Sequence, residues 1–200
     1  MEKFYLEIPS IERKNEALEY INEFYKYNSE IHGTGGLDRA IEKGMTYEEW
    51  LERNINLHGA QYAYEINLVP SYTHFLIREN DNKIIGMIDL RLELNEYLRN
   101  YGGHIGYSIR PTERIKGYNK INLYLILKVA KSHNLEKVLI TCANYNEGSR
   151  KTILSFGGKF EKENFEEKEK ETIELYWIDV LDALEKHKEV YEQYISNLNN

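Results

Sequence analysis

The chain has 200 residues, of which 42% are hydrophobic and 12% aromatic, so it suits one domain with a sizeable core, and global disorder is excluded. Its 26 basic residues stand against 33 acidic ones, and this net charge of −7 argues against a general nucleic-acid or membrane-surface role. The single cysteine excludes an intramolecular disulfide framework and any multi-cysteine metal site.

The N-terminal third is predicted to contain one short strand followed by helices. Residues 3–10 alternate apolar and polar side chains and end at a helix-entry signal, and residues 11–28 repeat apolar side chains at three- and four-residue steps. HGTGG at 32–36 is predicted to be a flexible break. The segment TYEEWLERNINLHG then predicts a second helical region, with Thr46 and Glu49 in a capping-box pattern.

The remaining two thirds predict a mostly antiparallel sheet with one strand–helix–strand crossover. The apolar period changes to two, which indicates a hairpin followed by a third strand. Helices are indicated at 118–134, at 146–158 and at 181–196. The predicted strands cover 73–80, 83–94, 102–110, 137–143, 158–163 and 171–180. These elements together predict an α+β fold.

A basic cluster lies between the third of these strands and the helix that follows it. In HIGYSIRPTERIKGYNK, residues 104–120, the last eleven residues carry four basic side chains and one acidic one, hence a local charge of +3. A helix start with a glycine in the turn, here Gly117, favours an anion such as phosphate. We therefore interpret the cluster as a site for a phosphate-bearing ligand. A surface turn with scattered basic residues and an unrelated nucleotide-binding fold are the alternatives.

The same residues carry a family resemblance. RIKGYN at 114–119 resembles the Q/R-x-x-G-x-G/A motif of the GCN5-related N-acetyltransferase (GNAT) superfamily. The strand GGHIGYSIRP before it, the helix after it, the strand KVLITC and the segment NYNEGSRKTILSFGG follow that family's order. In particular they are similar to a bacterial branch that carries GGHIGY…RP…R…KGY. The resemblance covers roughly residues 67–180.

The resemblance implies a sheet with splayed central strands and helices on its faces, and a cleft between those strands that binds acetyl-CoA. The implied pantetheine contacts are the backbone of Ser108, Ile109 and Arg110 on one side, and Asn146 and Ser149 on the other. The implied pyrophosphate loop contains Arg114, Ile115, Lys116, Gly117, Tyr118 and Asn119. The implied chemistry is direct transfer, in which a deprotonated amine attacks the thioester carbonyl and the thiolate leaves with a proton.

Two residues depart from the family pattern. Asn119 stands where the family has glycine or alanine, so the geometry of the loop differs in one side chain. Ile153 stands seven residues after Asn146, where many members place a tyrosine general acid. An isoleucine has no proton to donate, so another residue or water must protonate the thiolate.

Four side chains are candidates for proton transfer. His104 lies near the place of a carboxylate base in family members, and the usual histidine pKa of about 6.5 suits that task. The alternative for His104 is a cross-strand histidine bonded to a neighbour. Asp89 and Glu93, on the preceding strand, are other candidate bases, and Tyr145 is a candidate acid. Cys142 follows an apolar run and is predicted to be buried and non-catalytic.

Two functions of different classes follow. The first is an acetyl-CoA-dependent N-acetyltransferase that acts on a primary amine of a small molecule or peptide. The second, which Ile153 and Asn119 keep open, is a catalytically silent acyl-CoA-binding sensor or interaction module. Residues 1–66 are predicted to form the substrate side of one domain, and residues 67–200 its acetyl-CoA-binding core.

The expected setting is the cytoplasm. No signal peptide is visible, and the apolar runs fall short of the roughly 20 residues of a membrane span. We expect no metal, since the histidines lack a metal-binding spacing. We also expect no nucleic-acid or membrane partner, and we leave a homodimer open.

Overall fold

A seven-stranded sheet forms the centre of the computed structural model, which describes residues 1–197. The strands are β1 Phe4–Glu7, β2 Ser71–Arg78, β3 Lys83–Arg91, β4 Ile105–Ile109, β5 Lys137–Ala143, β6 Lys159–Glu166 and β7 Glu171–Asp179. Across the sheet the order is β1-β2-β3-β4-β5-β7-β6, and β4–β5 is the one parallel pair among these strands. The predicted α+β fold with a mixed, mostly antiparallel sheet is confirmed.

Helices cover both faces of the sheet. They are α1 Lys14–Lys26, α2 Leu37–Glu42, α3 Tyr47–Asn56, α4 Ala60–Glu65, α5 Tyr118–Ser132, α6 Glu147–Ser155 and α7 Val180–Tyr191. The capping box at the start of α3 is confirmed, because Thr46 and Glu49 each accept a hydrogen bond from the other's backbone N–H. The prediction missed α2 and α4, since six residues are too few to display a helical period. Among residues 1–197, no helix combines the length and the apolar composition needed to cross a bilayer.

Each face of the sheet packs its own core. Alternate strand residues point to opposite faces. Phe75 and Met87 therefore lie on the side of α1 and α3, where they pack in one cluster with Trp50. Ile88 lies on the other side, in a cluster with Ile126 of α5 and with residues of α6 and α7. The sheet is thus a layer between two sets of helices.

β4 and β5 separate almost at once. Within the described chain their register has one pair, Ile105 opposite Ile140, and beside it the His104 N–H donates to the carbonyl of Leu139 at 2.7 Å. After Ile105, the residues of β4 pair with β3 and leave the side facing β5 without a strand partner. We call this opening the gap. It confirms the expectation that the central strands splay apart.

The segment at 32–36 is not the flexible break that its glycines predicted. It packs on β4: the Ser108 hydroxyl donates to the His32 carbonyl at 2.6 Å, and a Cβ at Gly33 would overlap the carbonyl oxygen of Gly106. The Trp50 indole also donates to the Gly35 carbonyl at 3.0 Å. The prediction was wrong because glycine permits close backbone packing as well as flexibility.

Candidate functional site

Helix α5 begins after a glycine whose left-handed backbone conformation favours that residue type. Gly117, its N-cap, has φ 83°, in the left-handed region, and a Cβ built there would have no atom within 4 Å. Within residues 1–197, no hydrogen bond is found from the backbone N–H groups of Ile115, Lys116, Gly117, Tyr118 and Asn119. Free N–H groups at a helix start, with open space before them, are able to bind an anion such as phosphate.

Two of the four basic side chains in this cluster are paired with carboxylates. Arg110 is fully buried, and its Nη1 lies 3.0 Å from Glu19 and 2.9 Å from Glu23 of α1. Lys116 pairs with Glu113 at 2.7 Å. The local charge of +3 seen in the sequence already counts Glu113, and Glu19 and Glu23 from α1 offset part of what is left.

Arg114 also turns away from the loop. Its guanidinium lies 5.2 Å from the centre of the Phe24 ring and donates to the Ile109 carbonyl at 3.1 Å and to the Ser29 hydroxyl at 2.8 Å. The loop therefore offers backbone N–H groups to an anion more directly than it offers guanidinium groups. The pyrophosphate contacts predicted for residues 114–119 stay a prediction.

The backbone of β4 presents alternate residues to the gap. In an antiparallel pair every second residue bonds to the partner strand. The Arg110 N–H donates to the Ile85 carbonyl at 2.9 Å, and its own carbonyl accepts from the chain three residues on. Ser108, two residues earlier, likewise directs its backbone N–H and carbonyl to β3. The backbone groups of Tyr107 and Ile109 therefore point to the gap. Of the predicted pantetheine residues on β4, the pairing favours the N–H of Ile109, since the Ile109 carbonyl accepts from Arg114 and Arg110 has no unpartnered backbone group.

Four polar side chains from four elements meet beside the gap. The hydroxyls of Tyr107 on β4 and Ser149 on α6 are 2.7 Å apart. The side chain of Asn119 in α5 interacts with Tyr107, and Cys142 on β5 interacts with Ser149. The Asn119 Oδ1 is buried without a partner among the described residues. Sequence reasoning missed Tyr107, because a tyrosine in an apolar alternating run is usually a core residue.

The predicted pair on α6 is close together. The Asn146 Oδ1 accepts a hydrogen bond from the Ser149 N–H at 3.0 Å and so caps the helix. This bond presents the Ser149 hydroxyl to Tyr107 across the gap. Ile153, one helical turn further on, is fully buried in the apolar core.

His104 is held between β4 and β5. Its Nδ1 accepts a hydrogen bond from the Leu139 N–H at 2.9 Å, and the residue is 6% exposed. Burial lowers the pKa of His104 to about 4, and the charge of Arg91 acts in the same direction. A ring nitrogen that already accepts a backbone hydrogen bond is poorly placed to take a proton from an amine. The geometry favours the cross-strand alternative, and the catalytic role stays a prediction.

The two carboxylate candidates lie apart from each other. Asp89 is 4% exposed, accepts a hydrogen bond from the Thr73 hydroxyl at 3.0 Å and lies 3.2 Å from Nε of Arg91. Glu93 lies on the surface beyond β3 and accepts a hydrogen bond from the Tyr64 hydroxyl at 2.7 Å. The structure does not bring Asp89 and Glu93 into one site with His104, and both stay predictions.

Tyr145 lies exposed between β5 and α6. Its hydroxyl donates to Glu171 at 2.8 Å and also lies 3.2 Å from a carboxylate oxygen of Glu30. The Glu171 hydrogen bond, with burial and the Glu30 charge, raises the pKa of Tyr145 above its usual range. A raised pKa makes proton release harder, and the role of Tyr145 as an acid stays a prediction.

The predicted burial of Cys142 is confirmed. Burial, with a smaller effect of the Glu174 charge, raises the pKa of its thiol to about 11, so the nucleophilic thiolate is scarce at neutral pH. Within the described part of the chain, no three His, Cys, Asp or Glu side chains are placed to hold a metal ion.

The family model described as an acetyltransferase (GNAT) domain matches residues 17–159 of the chain. This match includes most of α1, the gap, the α5 loop and α6, and it reaches further toward the N-terminus than the motif-bearing residues. No curated protein sequence matches the chain.

Three solved structures illustrate the likeness of fold. The ribosomal-protein-S5-alanine acetyltransferase from Vibrio fischeri has a TM-score of 0.60 at 18% identity, with 90% of this chain and 94% of that chain covered. The microcin C7 self-immunity acetyltransferase MccE, solved with acetyl-CoA and AMP, has a TM-score of 0.64 at 15% identity, with 88% and 92% covered. A chimera of the Vibrio cholerae spermidine N-acetyltransferase SpeG and hSSAT has a TM-score of 0.59 at 16% identity, with 91% and 98% covered.

Proposed function

This chain belongs to the GNAT acetyltransferase family, and on that basis we propose that it transfers an acetyl group from acetyl-CoA to a primary amine of a small molecule or peptide. The chain is accordingly an acyltransferase. The observation that carries the proposal is the gap between β4 and β5, with the free N–H groups at the start of α5 beside it.

Three features support acetyl-CoA as the acetyl donor. The loop before α5 has unbonded N–H groups and open space at Gly117, which suits a pyrophosphate. The side of β4 that faces the gap has no strand partner after Ile105, which suits the amide groups of a pantetheine arm. The orphaned Oδ1 of Asn119 is a hydrogen-bond acceptor, which suits an amide N–H of the same arm. The residues present therefore fit the cosubstrate.

The role of the chain in the transfer is to bring two reactants together and to handle protons. A thioester held along β4 would lie in the gap, where an amine from the other face of the sheet reaches its carbonyl. The hydrogen bond from the Leu139 N–H to His104 joins β4 to β5 where the gap begins. It favours this structural role for His104 over acceptance of the proton of the amine. We therefore propose solvent as the path by which the amine loses its proton.

Carboxylates at the rim of the gap support an amine as the acceptor. Glu30 and Glu171 both lie within 3.3 Å of the Tyr145 hydroxyl, from the α1–α2 loop and from the start of β7. Two carboxylates at one hydroxyl attract a positively charged group such as an ammonium ion. The proteins with a similar fold include one named for the alanine of a ribosomal protein and one named for spermidine, both amine acceptors.

The test of the cosubstrate is calorimetric binding of CoA to two glycine variants. Gly117→Val places side-chain atoms where phosphate oxygens would sit, and we expect it to weaken CoA binding by more than about tenfold, about 1.4 kcal/mol. Gly157→Val is the matched control, because Gly157 also has a left-handed φ (78°) and no atom within 4 Å of a built Cβ, but ends α6. We expect it to bind CoA as the wild type does.

Two outcomes would change the proposal. Wild-type protein without measurable CoA affinity would remove its basis. Tight CoA binding without thiol release on any amine of a broad panel would favour the acyl-CoA-binding sensor, the function that Ile153 and Asn119 keep open.

A further inference from the structure

The leaving thiolate of an acetyl transfer needs a proton, and α6 does not supply it. Ile153 has no ionisable group and is fully buried among apolar side chains. The nearest polar side chain toward the start of the same helix is Thr152, whose hydroxyl donates to the Gly148 carbonyl within the helix. The proton therefore comes from solvent or from a group elsewhere around the gap.

A tyrosine hydroxyl lies on the β4 side of the gap. Tyr107 follows Ile105, the last residue of β4 with a partner on β5, by two positions, so it lies where the gap has opened. Its hydroxyl is 2.7 Å from the Ser149 hydroxyl and thus spans the space between β4 and α6. Tyr107 is only partly buried, although it packs against the core that contains Ile88 and Ile153. Its hydroxyl lies deep, beside Ser149 and Asn119, so a ligand meets it only from within the gap.

We propose that Tyr107 is the catalytic residue that gives a proton to the leaving sulfur of CoA, with Ser149 as its hydrogen-bond partner. This proposal rests on the acetyl-CoA-dependent transfer proposed above. It assigns the role that Ile153 of α6 leaves open to a residue of strand β4.

The step balances without a further reagent. The amine nitrogen forms a bond to the carbonyl carbon, the carbon–sulfur bond breaks, and its electron pair stays on sulfur. The sulfur takes the proton of the Tyr107 hydroxyl, and the oxygen regains a proton from solvent through the Ser149 hydroxyl. The amine loses one proton to solvent, so the net change is thioester and amine to amide and thiol.

The protonation state of Tyr107 agrees with this role. Burial raises its pKa above the usual range, while hydrogen bonds with Ser149 and Asn119 oppose the rise. The phenol thus keeps its proton throughout the neutral range and shares it as negative charge develops on the sulfur. Hydrogen bonds to charged groups are stronger than those between neutral groups, so the donor stabilises the transition state more than the ground state.

The other candidate donors near the gap are less suitable. Tyr145 donates to Glu171 and lies beside Glu30, so its proton is directed to carboxylates on the surface. The thiol of Cys142 is buried, and its hydrogen-bond contact is with Ser149. The Tyr107 hydroxyl, beside the gap, is therefore the donor that we assign.

The first test measures binding rather than turnover. A donor aimed at the sulfur should stabilise the thiolate of CoA, so wild-type affinity for CoA should rise at least tenfold between about pH 7 and about pH 9, across the usual thiol pKa of about 8.5. Desulfo-CoA, which lacks the sulfur, should show no such rise. Tyr107→Phe should bind both ligands at about pH 7 as the wild type does and lose the rise for CoA.

The second test measures turnover with a matched control. Tyr107→Phe should lower kcat with acetyl-CoA by roughly 10²-fold or more. Tyr124→Phe removes another buried hydroxyl of the same core, one that donates to Glu192 at 2.9 Å away from the gap, and should leave kcat within about threefold. Thermal unfolding of both variants checks that the fold is intact.

The outcomes separate this proposal from the proposed function. Wild-type protein that binds no CoA contradicts the proposed function itself. An active wild type whose CoA affinity does not rise relative to desulfo-CoA overturns the role of Tyr107, and this comparison needs no variant. An active, folded Tyr107→Phe protein with kcat within about threefold of wild type overturns it as well.

Discussion

Ile115 has a backbone conformation that branched side chains rarely adopt. Its φ is 65°, in the left-handed region, and its side chain is fully exposed, so no packing contact compensates for the strain. Ile115 lies in the loop before α5, where the N–H groups of residues 115–119 have no partner within residues 1–197. Strained residues tend to be found where a fixed backbone serves binding.

We expect Ile115→Gly to raise the free energy of unfolding by about 0.5–1 kcal/mol. The change relieves about 1–2 kcal/mol of left-handed strain and costs about 0.4–1 kcal/mol of added freedom in the unfolded chain. Urea denaturation measures the difference, and Ile115→Ala, which keeps a Cβ, is the control and should gain less. A loss of stability in the glycine variant would show that Ile115 is not strained.

Contacts between the α1–α2 loop and β4 fix one wall of the gap. The loop follows β4 from Ser108, bonded to the His32 carbonyl, to Gly106, which contacts Gly33. Tyr20 of α1 adds a hydroxyl contact to the Ser108 carbonyl at 3.1 Å. Because β4 lacks a strand partner on its other side after Ile105, these contacts support it together with β3 and the side-chain contacts to α5 and α6.

Gly33→Ala should destabilise the protein by more than about 2 kcal/mol, because the added methyl group overlaps backbone atoms of β4 that cannot move aside. Gly44→Ala is the control, since Gly44 also has a left-handed φ (76°) but open space around a built Cβ. It should cost only about 1 kcal/mol. Equal losses in chemical denaturation would mean that the loop does not pack on β4.

Local patterns were enough to predict most elements but not how they meet. The apolar period of two and the glycines of residues 102–117 marked β4 and the α5 loop, and Thr46 with Glu49 marked α3. The partners of Arg110 and the position of the Tyr107 hydroxyl depend on contacts with α1 and α6, distant in the chain. The apolar period predicts which face of a strand or helix a side chain lies on. The partners of a charged group or a hydroxyl depend instead on residues that only the folded chain brings close.

Buried histidines make the stability of the whole molecule sensitive to acid. His74 and His104 are each 6% exposed, and burial lowers the pKa of each to about 4. The unfolded chain binds a proton at the ordinary histidine pKa of about 6.5, so between these values it binds more protons than the folded chain. The stability that the two neutral histidines contribute is therefore fully present above about pH 6.5, and it is lost as the pH falls toward about 4.

We expect the free energy of unfolding to fall from about pH 6.5 to about pH 4, by on the order of 3 kcal/mol for each of the two histidines. Urea denaturation at a series of pH values measures this slope. His74→Gln should reduce it, whereas His32→Gln, which changes an exposed side chain, should not. Identical slopes for the wild type and His74→Gln would contradict the account.

The divergence of β4 from β5 divides the sheet into two plates, one of four strands and one of three. Hydrogen-bond ladders make each plate stiff, but what joins them after the Ile105–Ile140 pair is side-chain packing, with Ile88 and Tyr176 in one shared core. Packed side chains slide by small amounts more easily than ladders slip register. The two plates can therefore move as separate bodies. A molecule bound between them contacts both plates, so its binding favours the arrangement in which they are held together.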